Sequence, residues 1–304
     1  MALQNSFSDD LLDKNQLRVF LQKSDVSGAI RVAQHFGAIC VTGAGLLFVE
    51  HSLLFSIIFV IHGILLAFLF CPLHEATHGS AFKSKKLNDV IATICGVVTA
   101  NSRLFYKFFH FAHHRYTQND ELDPELGMPK PTSIVEYIIW ISGWHYWRGK
   151  LGTMMRFAFS GNAKAAYVPK SQEKSVVREC RCVLAFYILA ISVSVLTSGY
   201  YIFILWIGPI LIGQVFLRLY LLSEHHDCDN GSDMLRNVRT VTSGRLINWL
   251  AWNMPYHTEH HLYPSVPFHA LPKVHNQIKD SLVHTATSHF AFNRDYVRRI
   301  LKAR

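Results

Sequence analysis

The sequence predicts an all-α integral membrane protein in which four transmembrane helices form two hairpins, joined to a helical cytoplasmic cap that carries the histidine clusters. Three observations predict it. Half of the 304 residues are apolar and 17% are charged, against a charged share of roughly 25% in soluble domains. The apolar residues gather into four blocks near the length of about 20 helical residues that crosses a bilayer core. Lys and Arg are absent from the short connections inside each pair of blocks, as expected of loops on the non-cytoplasmic side.

Taken in order, the first hairpin pairs residues 33–49 with 52–73 and turns at Glu50 and His51. The second pairs 182–197 with 200–222 and turns around Ser198 and Gly199. An even number of crossings leaves segments 1–32, 74–181 and 223–304 on one face. Every Lys and Arg falls in those segments except Arg218, near the end of the fourth span, so that face, with both termini, is assigned to the cytoplasm. The apolar stretches 90–100 and 134–147 are too short to cross and read as interfacial or re-entrant helices, with Trp144, Tyr146 and Trp147 as belt residues. Residues 1–20 mix Asp, Lys, Asn and Gln without an apolar core, so no cleaved signal peptide is expected. No repeat, low-complexity tract or linker divides the chain, which reads as one domain over 1–304.

The formal charge of +9 suits anionic lipid headgroups. It does not suggest nucleic acid, because the basic residues form no compact run interleaved with stacking aromatics. The six cysteines, Cys40, Cys71, Cys95, Cys180, Cys182 and Cys228, make no CxxC pair. They read as packing residues rather than disulfides or a thiolate zinc site.

The informative feature is histidine spacing: His74-Glu-Ala-Thr-His78, His110-Phe-Ala-His113-His114 and His257-Thr-Glu-His260-His261. Residues three and four apart share a helix face, so each group presents two or three imidazoles in one direction. Neutral imidazole ligates iron, zinc or copper, and eight such residues exceed the needs of one ion. One HxxxH pair can be chance or a packed hydrogen-bonded pair. Two HxxHH groups beside it, all at span ends on the same face, argue for a metal centre.

These motifs, with their neighbours His78-Gly79, His113-His114-Arg115-Tyr116-Thr117 and Tyr256 through Phe268, resemble the membrane-bound fatty acid desaturase and hydroxylase superfamily over about residues 72–275. The resemblance implies a non-haem di-iron centre, two Fe ions cycling between Fe2+ and Fe3+ with dioxygen as co-substrate. Its metal residues would be His74, His78, His110, His113, His114, His257, His260 and His261. A Glu-His element after the last span, matched by Glu224-His225, implies His225 as the ninth, with His226 as the competitor. His35, His51, His62, His145, His269, His275, His284 and His289 are scattered and read as structural or solvated, His275 least firmly.

Ligating imidazoles usually donate their second nitrogen to a carboxylate or carbonyl. Glu75, Glu224, Glu259, Asp120 and Asp123 are candidates for that role, and Asn101, Arg115, Arg236 and Arg239 for contact with a headgroup or electron donor. Phe105, Tyr106, Phe108, Phe109 and Phe111 suit either an acyl channel or interface packing. There is no haem-binding or glycine-rich dinucleotide signature, so electrons would come from a separate ferredoxin, cytochrome or reductase. A basic face including Lys83, Lys85 and Lys86 would suit an acidic donor or satisfy charge sorting alone.

The resemblance implies oxidation of an aliphatic lipid chain, with desaturation of a fatty acyl group as the leading reading. The alternative is hydroxylation of a terpenoid, carotenoid, alkane or sphingoid chain. A histidine-rich metal transporter is a more distant one, since transporters place ionisable groups inside spans and here the span interiors offer only His62.

Overall fold

Hydropathy marks where a helix meets hydrocarbon, and the helices themselves run further. The computed structural model describes residues 11–197 and 199–302. Ser198, in the expected second turn, and residues 1–10 of the amino-terminal stretch lie outside the described residues. Helix α1 (Lys14–Phe20) begins at a capping box in which Asp13 accepts from the Gln16 backbone and the Gln16 side chain returns the bond. Helix α2 (Asp25–Phe48) starts eight residues before the apolar block, because Ser24 caps it by accepting from Ser27 N at 3.1 Å. A connection at 49–51 leads to α3 (Ser52–Ala67), which passes through Phe68 and Leu69 into α4 (Phe70–Thr77).

On the next segment α5 (Lys85–Val98), α6 (Arg103–Tyr116), α7 (Ile134–Ile141) and α8 (Trp144–Ser160) follow. The apolar stretch expected at 134–147 is two helices, divided at Gly143, whose φ of 75° is a left-handed conformation that ends one helix and re-aims the next. Helix α9 (Glu173–Leu196) extends the third apolar block backward through a charged turn. Before α10 (Gly208–His225) lies a π-helical turn at Phe203–Ile207, closed by Gly208 N to Phe203 O, and Pro209 at the start of α10 needs no hydrogen-bond partner for its nitrogen.

Four helical stretches are long and apolar enough to cross a membrane: Asp25–Phe48, Ser52–Thr77, Lys170–Leu196 and Phe203–His225. Their outer faces carry exposed Leu53, Val41, Ile188, Leu189 and Val195. Such apolar surface is stable only where the solvent is hydrocarbon or it is covered. The fold class expected from the sequence is therefore the one observed. Helices α3 and α10 cross closely: a Cβ on Gly63 would sit 2.1 Å from Pro209 O, and one on Gly213 1.8 Å from Gly63 O. Only glycine permits that approach.

After α10 come strand β1 (Arg239–Val241), α11 (Arg245–Leu250), α12 (His257–Leu262), α13 (Leu271–Ile278), strand β2 (His284–Ala286) and α14 (His289–Lys302). The strands pair in parallel, Arg239 beside His284 and Val241 beside Ala286, and pin the stretch after α10 against the stretch before α14. Within the spans His35, as well as the expected His62, is buried, and both have structural partners. His35 Nε2 bonds Leu65 O at 2.9 Å and its Nδ1 accepts from Trp252 Nε1. His62 ties Thr42 Oγ1 at 2.7 Å to Leu205 O at 2.9 Å, joining α2, α3 and the approach to α10. The cysteines are free and disulfide bonds are absent among the described residues.

Candidate metal centre

Four short pieces of helix deliver the histidines. Helix α4 carries His74 and is capped by His78, after which Gly79 at φ 66° turns the chain away. Helix α6 starts at Ser102, whose hydroxyl accepts from Phe105 N at 3.2 Å, and carries His110, His113 and His114 toward its far end. Helix α10 ends at His225. Helix α12 is only six residues long, held by Thr258 N donating to Thr240 Oγ1 on β1 and by Thr240 Oγ1 donating to Glu259 Oε2 at 2.5 Å.

The imidazoles converge as two groups, His74, His78, His110, His114 and His260 in one and His113, His225, His257 and His261 in the other. In each group the potential ligand atoms lie within 4.8 Å of one another. The sequence reading of one direction per motif is thereby refined: every i,i+4 pair enters a single group, whereas the middle histidine of each HxxHH motif enters the other. Helix geometry explains this, since i and i+4 differ by about 40° around the axis while neighbours differ by about 100°. His113 and His114 must diverge, as must His260 and His261.

In the four-histidine group three outward nitrogens are hydrogen-bonded and the fourth, of His257, faces a carboxylate beyond bonding distance. His113 Nδ1 faces Asp123 Oδ1 at 3.0 Å, and His225 Nδ1 donates to Asn237 O at 3.3 Å. Thr117 spends its hydroxyl proton on His113 O at 2.8 Å, so its oxygen accepts from His261 Nδ1 at 3.3 Å. Glu224 Oε1 lies 3.6 Å from His257 Nδ1. With the proton on Nδ1, each Nε2 points inward as a lone pair. His113 and His257 Nε2 then stand 3.1 and 3.0 Å from His225 Nε2, and His261 Nε2 has no partner. Lone pairs so close repel unless a cation sits among them.

In the five-histidine group His78, His110, His114 and His260 bring their Nε2 atoms together in contacts of 2.8, 3.0 and 3.1 Å. Both nitrogens of His74 and Nδ1 of His110, His114 and His260 are buried without partners. Ring packing holds these side chains instead, with Tyr106 stacked on His110 at 5.4 Å and Phe70 against His74 at 6.2 Å.

Burial favours the neutral, ligating form of most of these imidazoles. It pushes His78 down to about 3 and holds His110, His114, His257, His260 and His261 well below the usual histidine range. His113 differs: burial opposes its protonation, but the Glu125 and Asp123 carboxylates outweigh that and raise its pKa. Nine clustered imidazoles without a thiolate fit iron, copper or zinc.

Of the other expected residues, Asp123 and Glu224 reach the histidines. Glu75 is buried but turns to Phe268 N at 2.9 Å, and Glu259 joins Thr240 to His275 Nδ1 at 2.5 Å. Asp120 and Arg115 are exposed. Arg236 pairs with Asp229 on the surface, while buried Arg239 donates to Ser223 O, His226 O and Asp227 O and fixes the chain leaving α10. Asn101 bonds Thr99 Oγ1 at 3.0 Å at the cavity wall. His226 turns away from both groups, its ring 5.4 Å from Trp140 and its pKa pushed to about 3 by burial. Sequence reasoning missed Thr117, Asn237, Gln118, which donates to His225 O at 2.5 Å, and Glu125, whose carboxylate lies 3.7 Å from His113 Nε2.

Both groups border a cavity of about 450 Å³, within the roughly 300–1,000 Å³ of small-molecule sites. Phe70, Phe105, Tyr106, Phe109, Met154 and Phe157 form its apolar wall. Phe108 and Phe111 lie outside that lining; Phe111 is partly exposed and packs on His78.

Fold and site together define an integral membrane protein built around a histidine centre able to hold metal. The chain belongs to the fatty acid desaturase family, whose model matches residues 51–293. It is 29% identical over 216 residues to a sphingolipid delta(4)-desaturase/C4-monooxygenase of Mus musculus, a match covering 66% of this chain and 58% of that protein. A fatty acid desaturase of Bacillus subtilis is 26% identical, with 68% and 63% covered. An sn-1 oleoyl-lipid 12-desaturase of a Synechocystis species is 21% identical, with 81% and 74% covered. The chain thus spans less than two thirds of the length of the first two relatives.

Proposed function

We propose that this chain is a membrane-bound oxidoreductase that uses dioxygen to desaturate the aliphatic chain of a lipid, with two irons held by the nine clustered histidines. Removing hydrogen from an unactivated methylene is beyond any side chain's basicity, and a bound pair of redox-active irons supplies that chemistry with dioxygen and electrons from a separate ferredoxin, cytochrome or reductase. The observation that carries the reading is the convergence of His113, His225 and His257 Nε2 lone pairs at 3.0–3.1 Å beside an apolar cavity that also reaches His74 and His110.

The chain's own residues perform two tasks here. Asp123, Thr117 and Asn237 O hold protons on the outward nitrogens, so that the inward ones stay free for metal. Phe105, Tyr106, Phe109 and Phe157 exclude water and lay a methylene chain along the wall. The distribution of Lys and Arg supports a cytoplasmic position for the histidines, where a soluble electron donor has access.

Hydroxylation is the second reading, favoured by the double activity in the printed name of the mouse relative. Lipid extracts from cells expressing the chain separate the two by mass spectrometry. A new double bond supports desaturation; a new hydroxyl group with unchanged unsaturation supports the alternative, and neither product would sink both.

A further inference from the structure

The one basic residue outside the cytoplasmic segments is Arg218, seven positions before His225 on α10. It is 5% exposed and lines the same cavity as the histidines. A guanidinium within a span is costly unless something answers its charge and its five N–H donors. Among the described residues it makes no ion pair or hydrogen bond, and its Nε is buried without a partner. What it does have is two aromatic faces, Tyr146 at 4.3 Å and Trp140 at 5.6 Å. These favour a cation over the ring but leave the in-plane donors unspent.

Glu125 and Glu224 attract Arg218 at longer range, but each lies nearer to a histidine. Asp123, Glu125 and Glu224 stand against His113 and His257, on the side where metal charge would sit. Lys150, the other cation on this stretch of wall, donates to Thr99 O at 2.8 Å and to the Tyr146 hydroxyl. Beyond that longer-range attraction, Arg218 is left as a donor set on the cavity wall without a hydrogen-bond partner.

Building on the proposed lipid oxidation, we propose that Arg218 is a specificity-determining residue that binds the oxygen-acceptor end of the substrate, a carboxylate or an ester or amide carbonyl. Seven residues bring Arg218 back to nearly the face of His225 and place it about 10 Å away along the axis. The polar end is thereby fixed at one end of a ruler and the metal site at the other. The carbon oxidised is set by its distance from the polar group, whatever the length of chain beyond.

Two experiments test this. In cells supplied with acyl chains two carbons apart in length, the wild type places the new double bond at the same count from the polar end in both. Arg218→Met and Arg218→Gln lose that fixed position and Arg218→Lys restores it, with metal content per chain unchanged. Counting from the methyl end, or wild-type position in the Met and Gln variants, overturns the assignment. Independently of turnover, a spin-labelled long-chain carboxylic acid binds the detergent-solubilised wild type roughly 10–100-fold more tightly than Arg218→Met, the loss expected for one hydrogen bond to a charged group. Equal binding refutes the role of Arg218 even if lipid oxidation is confirmed. Conversely, tighter wild-type binding without any oxidised lipid upholds the subsite and sinks the proposed reaction instead.

Discussion

The two histidine groups meet along α6 and α12 yet are held by different forces. In the four-histidine group an acid, a hydroxyl and a backbone carbonyl take up Nδ1 of His113, His261 and His225. In the five-histidine group the Nδ1 atoms of His110, His114 and His260 have no partner, and ring stacking sets their angles. A carboxylate on the outer nitrogen makes an imidazole a stronger donor to metal; packing fixes only direction. The difference teaches that one site is tuned electronically and the other geometrically, so each should fail in its own way.

The largest effect is expected from removing a histidine. His260→Ala in the five-histidine group and His113→Ala in the other should each reduce lipid product to background, and turnover near wild type in either would break the pairing of both groups in one reaction. Next comes the crossing that aligns them. Gly213→Ala drives a Cβ into Gly63 O between the helices bearing His225 and leading to His74. Overpacking of this kind costs typically about 1–3 kcal/mol or more. Thermal unfolding of the purified variant should shift well below wild type, with both metals lost together.

A smaller, one-sided effect separates the groups. Asp123→Asn should weaken one metal equivalent by roughly 10–100-fold and leave the other unchanged in a chelator titration; loss of both in parallel would show that the groups are not independently tuned. Smaller still is the response to pH. An imidazole with a depressed folded pKa binds fewer protons folded than unfolded, so its contribution is complete above the unfolded value of about 6.5. Stability of the metal-free chain should therefore fall as pH drops from there toward the folded values, about 3 for His78 and His226 and about 4 for His289. Urea midpoints on either side of that threshold check the sign.

Much of this was legible along the chain because two signals are strictly local. Hydropathy located the four crossing helices, helical spacing picked out eight histidines and the family resemblance added His225; the structure sets these nine in two groups, with His226 in neither. What stayed hidden depended on distance in sequence. The division of each HxxHH motif between two groups needs the relative rotation of α6 and α12. Glu125 lies on a short 3-10 turn with no periodic signal, and Thr117 and Asn237 matter only because the fold sets them behind His261 and His225. Helix ends were set by caps such as Ser24, which hydropathy cannot register. Arg218 did stand out from charge sorting, though only the structure shows that it lines the cavity.

Metal analysis of the purified wild-type chain tests the central claim most directly. Two irons per chain, with His225→Ala and His74→Ala each lowering the count, is the predicted result. One iron or none in a folded, fully reconstituted sample would contradict it.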